Sequence, residues 1–199
     1  MKKWEPIELL RHARHDWLNH LQLIKGYHAL GQAERVNEII DQIIQLASQE
    51  SKLSSINMPN LALLLITYNW ESPSFILNYE VIGEGKIINV NDRLITHWFE
   101  TFFSTLNDVT VDYEDNELSV TLQVSQENVS FIIEFYGILK EIERIENFLQ
   151  EENKACKVEN INMNEEAFSF ELNPIKLRDK ESTTEGERQK CLSIKSRYM

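Results

Sequence analysis

The chain has 199 residues, 42% of them hydrophobic, and a formal net charge of −12, which supplies enough apolar residues for a packed core and too few bases for a nucleic-acid binder or a protein seated on an anionic bilayer. No run reaches the roughly 18 consecutive apolar residues of a membrane span, and charge recurs too early in the opening Met-Lys-Lys-Trp-Glu-Pro for a signal peptide, so a soluble, cytoplasmic protein is expected. Cys156 and Cys191 read as reduced and incidental, with neither a disulfide nor a zinc site in prospect.

Apolar residues Leu10, Trp17, Leu21 and Ile24 recur at heptad-like spacing across residues 5–30, with Gly31 where a helix C-terminal glycine belongs, and this predicts a first helix. Val36, Ile40, Ile43 and Ala47 repeat the spacing over residues 32–53, with Ile39, Ile44 and Leu46 widening the stripe of a second. A short turn at Gly31 makes the pair an antiparallel helical hairpin. Two helices form a thin core, so a second copy completing a dimeric four-helix bundle is expected; the alternative is a hairpin folded back on its own C-terminal half.

Past Pro59 the pattern changes. A short Leu-rich helix over 60–69 is followed by a strand over 74–81 that ends at Gly83-Glu84-Gly85, and by a helix through Leu94, Trp98, Phe99, Phe102 and Phe103 with Asp92 as its expected cap. Residues 118–124 and 129–135 read as a strand hairpin, 138–152 as a helix, and 156–161 with 167–172 as a last strand pair. The expected organisation is α + α/β: a helical hairpin over 1–56, an α/β domain with a partly antiparallel sheet over 57–173, and a disordered tail over 174–199. Residues 1–56 carry seven Lys/Arg against seven Asp/Glu and 174–199 carry seven against four, so the negative excess belongs entirely to the middle segment. An acidic module beside a neutral one suits a protein that docks a basic-faced partner and leaves one patch able to approach phosphate.

The chemistry-bearing residues concentrate on the first helix. With Trp17 at zero on a helical wheel, Leu21, Ile24, Leu10 and His28 fall within about 40° of it, an apolar stripe expected to be buried. On the same wheel His15 lies near about 160°, Asn19 about 200°, Gln22 about 140° and Arg11 about 120°, on the opposite, exposed face. Leu18 and Leu23 flank that face at about 100° and −120° and are expected to rim a docking surface for a partner helix. An imidazole is substantially neutral near cytoplasmic pH and can attack phosphorus without a strong base. Asp16 can hold the ring and offset the charge that develops, Asn19 and Gln22 can orient phosphoryl oxygens without repelling them, and Arg11 can neutralise them. A solvated surface histidine is the plain alternative. A metal reading on Glu8, His12 and His15 has one helical turn of ligand spacing in its favour and no ligand-dense segment to complete it.

The run Arg14-His15-Asp16-Trp17-Leu18-Asn19-His20-Leu21-Gln22-Leu23-Ile24-Lys25-Gly26 resembles the phosphoacceptor helix of the bacillar sporulation phosphorelay phosphotransferases. More broadly, His-Asp/Glu-x-x-Asn is similar to the dimerisation and phosphoacceptor helix of sensor histidine kinases. The resemblance continues at Glu50-Ser51-Lys52-Leu53-Ser54 and Tyr68-Asn69-Trp70, then fades to pattern-level similarity up to about residue 173. It implies a homodimer, a C-terminal domain like a degenerate histidine-kinase ATPase domain, and transfer of a phosphoryl group from the aspartate of one response-regulator-like protein to that of another. His15 is then the phosphoacceptor, with Arg14 added to the phosphoryl- or partner-binding set. The resemblance implies no cofactor of the chain's own, and Mg2+ held in the partner regulator's acidic pocket.

A cut-down histidine kinase needs glycine-rich loops so that backbone can cover nucleotide phosphates, yet 57–173 holds only Gly83, Gly85 and Gly137, with Asn107-Asp108 standing where a kinase places its magnesium-binding asparagine. The reading is therefore a protein-to-protein histidine phosphotransferase, with the cut-down kinase and a non-enzymatic dimeric adaptor or kinase inhibitor as its rivals.

Overall fold

The computed structural model describes residues 4–71, 73–111, 115–164 and 166–177. Helix α1 spans Pro6–Ala29 and α2 Ala33–Ser55. Pro6 opens α1 where its missing N–H costs nothing, and the Glu8 carboxylate accepts from the Glu5 N–H at 3.3 Å. At the other end Gly31 takes φ 71°, its N–H donating to the His28 carbonyl and that of Gln32 to the Tyr27 carbonyl, each at 3.0 Å. These paired bonds are those of a Schellman ending, and the left-handed residue they require explains the glycine.

The second module runs α3 (Pro59–Thr67), a 3-10 turn (Tyr68–Glu71), β1 (Ile76–Gly85), α4 (Asp92–Val109), β2 (Glu117–Gln126), β3 (Asn128–Tyr136), α5 (Ile142–Gln150), β4 (Cys156–Met163) and β5 (Ala167–Pro174). Its mixed sheet has the order β1-β2-β3-β5-β4, with β1 parallel to β2 across the α4 crossover and the remaining pairs antiparallel. Alternation along the strands turns Leu118, Val120 and Leu122, then Phe131, Ile133 and Phe135, then Phe168, Phe170 and Leu172 into one buried face. Helix α4 covers it with Phe99 against Phe131 and Phe102 against Phe170, ring centroids 5.2 and 5.5 Å apart.

The hairpin joins this module along the end of α2. Leu53 is fully buried, Gln49 accepts from the Val81 N–H at 2.8 Å, and the Ile56 carbonyl accepts from the Ile87 N–H at 2.9 Å.

Several boundaries depart from the sequence reading. The cap of α4 is Asn91, whose side chain accepts from the Leu94 N–H at 3.2 Å. Asp92 instead reaches across to α3, accepting from the N–H groups of Asn60 at 2.9 Å and Leu61 at 3.0 Å. Helix α3 follows Met58, whose side chain has no oxygen to offer as a cap, so a carboxylate from α4 satisfies its first free N–H groups. The helix expected over 138–152 begins only at Ile142. Residues 174–177, expected in a disordered tail, belong to the ordered module: β5 includes Pro174, Lys176 bridges Val90, and the Leu177 N–H donates to the Asn89 carbonyl at 2.7 Å. The rest of that tail, Cys191 included, lies outside the described residues. Cys156 is buried and unpaired with another cysteine, and burial pushes its thiol up to about 12. Among the described residues no helix is long and apolar enough to cross a membrane.

Candidate functional site

Helix α1 has no buried residue in the single chain. The stripe expected to be buried is open: Leu10 is 63%, Trp17 55% and Leu21 56% exposed, His28 is exposed and Ile24 half-buried. Ile44 and Leu46 of α2 are exposed beside it. A two-helix hairpin has only one inner seam, and the second module, which meets the hairpin at the end of α2 and at Trp70, leaves Leu10, Trp17 and Leu21 more than half exposed.

On the opposite face His15 stands out into solvent, its side chain 72% exposed. Its Nδ1 lies 3.2 Å from the amide nitrogen of Asn19, one turn along, and 3.7 Å from Oδ1 of Asp16. Asn19 and Asp16 thus address the same ring nitrogen, leaving Nε2 without a partner among the described residues. Arg11, Arg14, Gln22, Leu18 and Leu23 are all exposed, and neither arginine forms an ion pair with another described residue. The structure therefore joins His15, Asp16 and Asn19 and leaves the other five as unengaged surface around them.

Three aromatic residues meet in this neighbourhood, of which the sequence reading weighed His12 only as a metal ligand and gave Trp4 and Trp70 no role in the site. Trp70, in the 3-10 turn, donates its indole N–H to Oδ2 of Asp16 at 3.1 Å. Its ring stacks on His12 at 4.9 Å with 13° between planes, and Trp4 packs edge-on against both. His12 is thus a packing residue in place of a member of the outer face. Among the described residues no cluster of His, Cys, Asp and Glu could hold a metal ion. A signal for Trp70 existed in Tyr68-Asn69-Trp70, but its contact spans 54 residues of sequence, which no local pattern encodes. Beside this cluster Ala13, Asn19, Ile43, Glu50 and Ile66 help to line a cavity of about 390 Å³ between α1, α2 and α3.

The residues weighed above for a nucleotide site are engaged within the fold. Asn107 accepts from the Ser74 N–H at 2.9 Å and donates to the Tyr68 hydroxyl at 2.6 Å. Asp108 pairs with Arg144 at 2.8 Å. Gly83 and Gly85 pair with Val124 and Gln126 along β1, where an added Cβ would meet each partner's carbonyl oxygen at 2.1 Å.

Two family models cover the chain through residue 175: the sensor kinase SpoOB-type alpha-helical domain over residues 1–56 and the C-terminal domain of sporulation initiation phosphotransferase B over residues 57–175. The chain belongs to the sporulation initiation phosphotransferase B family. It is similar to sporulation initiation phosphotransferase B of Bacillus subtilis (strain 168), 37% identical over 135 residues that make up 67% of this chain and 70% of that protein. Among solved structures it is similar to the histidine kinase AdeS of Acinetobacter baumannii, with 11% identity, 85% of this chain and 98% of that chain covered, and a TM-score of 0.38. A bacterial phosphotransferase structure matches with 13% identity, 86% and 98% coverage and a TM-score of 0.37. The helical N-terminal region followed by a mixed sheet with helices is the arrangement expected for this family from the motif on α1.

Proposed function

We propose that this protein is a phosphorelay phosphotransferase of sporulation initiation, in which His15 accepts a phosphoryl group from the aspartate of one response regulator and delivers it to the aspartate of a second. The observation that carries the reading is an exposed imidazole with Nδ1 addressed by Asp16 and Asn19 and Nε2 open to solvent. For Nε2 to attack, Nδ1 must hold the ring proton. Asn19's amide oxygen and nitrogen are interchangeable in placement, so its oxygen can accept from Nδ1–H while Asp16 offsets the positive charge. The Nε2 lone pair forms the P–N bond in line as the aspartyl O–P bond breaks, leaving the donor carboxylate free; the reverse exchange phosphorylates the acceptor. Both ends of the reaction are activated phosphoryl compounds, so positioning and charge neutralisation are sufficient catalysis.

Arg11, Arg14 and Gln22 are assigned to phosphoryl oxygens and regulator docking, and Leu18 and Leu23 to the rim of the docking surface. Mg2+ belongs to the regulator's acidic pocket, since Asp16 alone offers too few oxygens for an octahedral site and already accepts from Trp70. The open stripe of Leu10, Trp17 and Leu21 supports a homodimer in which two hairpins, residues 1–56 of each copy, form a four-helix bundle carrying the 57–173 domains. The reaction is placed in the cytoplasm.

Incubation with a radiolabelled phospho-regulator and Mg2+ tests this. Label on the wild type, chased to a second regulator and absent from His15→Ala, is expected; label from ATP alone would make the protein a kinase, and no label from either source an adaptor. In the same system Leu23→Ala weakens regulator binding, and unchanged affinity removes Leu18 and Leu23 from the interface.

A further inference from the structure

We propose that Trp70 is a positioning residue for phosphoryl transfer: its indole N–H fixes the Asp16 carboxylate beside Nδ1 of His15 and so holds the imidazole in the form whose Nε2 can attack. This rests on the phosphotransfer reading above and adds a residue from the second module to it.

The helix alone does not supply this arrangement. Successive residues on a helix diverge by about 100°, so Asp16 has no intrinsic reason to stay near His15. Its Oδ2 is taken by the Trp70 N–H at 3.1 Å, which leaves Oδ1 facing Nδ1 at 3.7 Å. A bond to a carboxylate is charge-assisted and directional, and an indole has no acceptor capacity to confuse it.

Trp70 is itself held. His12 lies one turn before Asp16 on the same side of α1, and its ring stacks on the indole while Trp4 closes the far edges. On the other side, the preceding Asn69 exchanges two hydrogen bonds with Leu77 of β1, 2.9 and 2.8 Å long, and Tyr68 is buried. The carboxylate on the first helix is thereby registered against the sheet of the second module. A tether with the same rings and no N–H would clamp the helix equally well, so the hydrogen bond is what a purely structural role leaves unexplained.

Trp70→Phe keeps a ring over His12 and removes the donor. Its expected effect is a fall in kcat for transfer from a phospho-regulator of about three- to tenfold, with KM within about twofold of wild type. Two-bond 1H–15N spectra of His15 are expected to show the Nε2–H tautomer gaining at the expense of Nδ1–H. In an Asp16→Asn background Trp70→Phe should add nothing to either readout, because the residue acts only through that carboxylate. Wild-type tautomer balance and kcat in Trp70→Phe overturn the proposal, as do equal losses in both backgrounds. Asp16→Asn leaves Trp70 intact, so a shift of the Trp70 indole proton resonance in that variant reports the bond without altering the rings; an unmoved resonance also overturns it. Should wild-type protein take no label, the phosphotransfer reading fails, while the tautomer and indole resonances still decide whether Trp70 positions Asp16 and His15.

Discussion

The open stripe on α1 makes a quantitative demand on the proposed dimer, and Trp17 is its largest side chain. A tryptophan presents up to about 250 Å², and Trp17 is 55% exposed, so about 140 Å² remains available for a partner. At 25 cal/mol per Å² that is about 3.5 kcal/mol per copy, counted twice in a two-fold interface. Association realises only part of such area, because ordering and lost rigid-body freedom oppose it, and a third to a half leaves about 2.3–3.5 kcal/mol for Trp17→Ala. The dimer dissociation constant should rise about 50- to 350-fold. Sedimentation over a dilution series reads this against a 23.4 kDa protomer, with exchange between tagged and untagged copies extending the range to tight dimers. Ile161→Ala, exposed on β4 at the sheet edge opposite β1 and the hairpin, is the control. A Trp17→Ala shift no larger than the control's, or a wild type that remains a monomer throughout, refutes the argument.

Asp92→Ala removes the acceptor for two α3 N–H groups and a contact with Thr96, and should lower stability by about 2–3 kcal/mol in urea unfolding. A loss below about 0.5 kcal/mol means water caps α3 as well as Asp92 does. Alkaline pH should weaken the fold: burial raises the Tyr79 phenol from 10.0 to about 12, helped by the Glu50 charge, and raises Tyr68 further. The folded protein keeps these protons where the unfolded chain releases them, so their contribution is complete below about pH 9 and declines as pH rises from 10 toward 12. Tyr79→Phe should flatten the fall of the urea midpoint over that window; an equal slope in the variant contradicts it.

The parts of the fold that were readable from sequence are those written in short-range periodicity. The alternation in β2 and β3, the apolar spacing of α1 and α2, and Gly31 each encode a local backbone state, and each element forms within a few residues of its reading. The exposure of His15 followed from the same wheel, since a residue about 160° from an apolar stripe faces away from it. What escaped was long-range and polar. Asp92 resembles a cap for its own helix because local order suggests it, yet the donors in need belong to α3. Likewise His12 and Asp16 share one side of α1 for a reason supplied by Trp70, and nothing within a helical turn of either residue announces an indole. The burial expected for Trp17 and Leu21 is not found in the single chain, which leaves both open, because helical spacing says which residues share a stripe and not what covers it.

These facts bear on why a chain of this family carries a large second module. Asn107 braces the segment just before β1, and Gly83 and Gly85 lie within that strand, so these residues serve the module's own fold. Asp16 is the last residue of α1 hydrogen-bonded to the second module among the described residues, and Trp17, Asn19 and His20 beyond it line a cavity with Ile66 and Trp70. His15 therefore sits at the end of the segment of α1 that Trp4, His12 and Trp70 clamp. In the transfer proposed above, a histidine so placed would be fixed on one side by a rigid sheet and accessible on the other, the combination that attack on a protein-borne phosphoryl group requires.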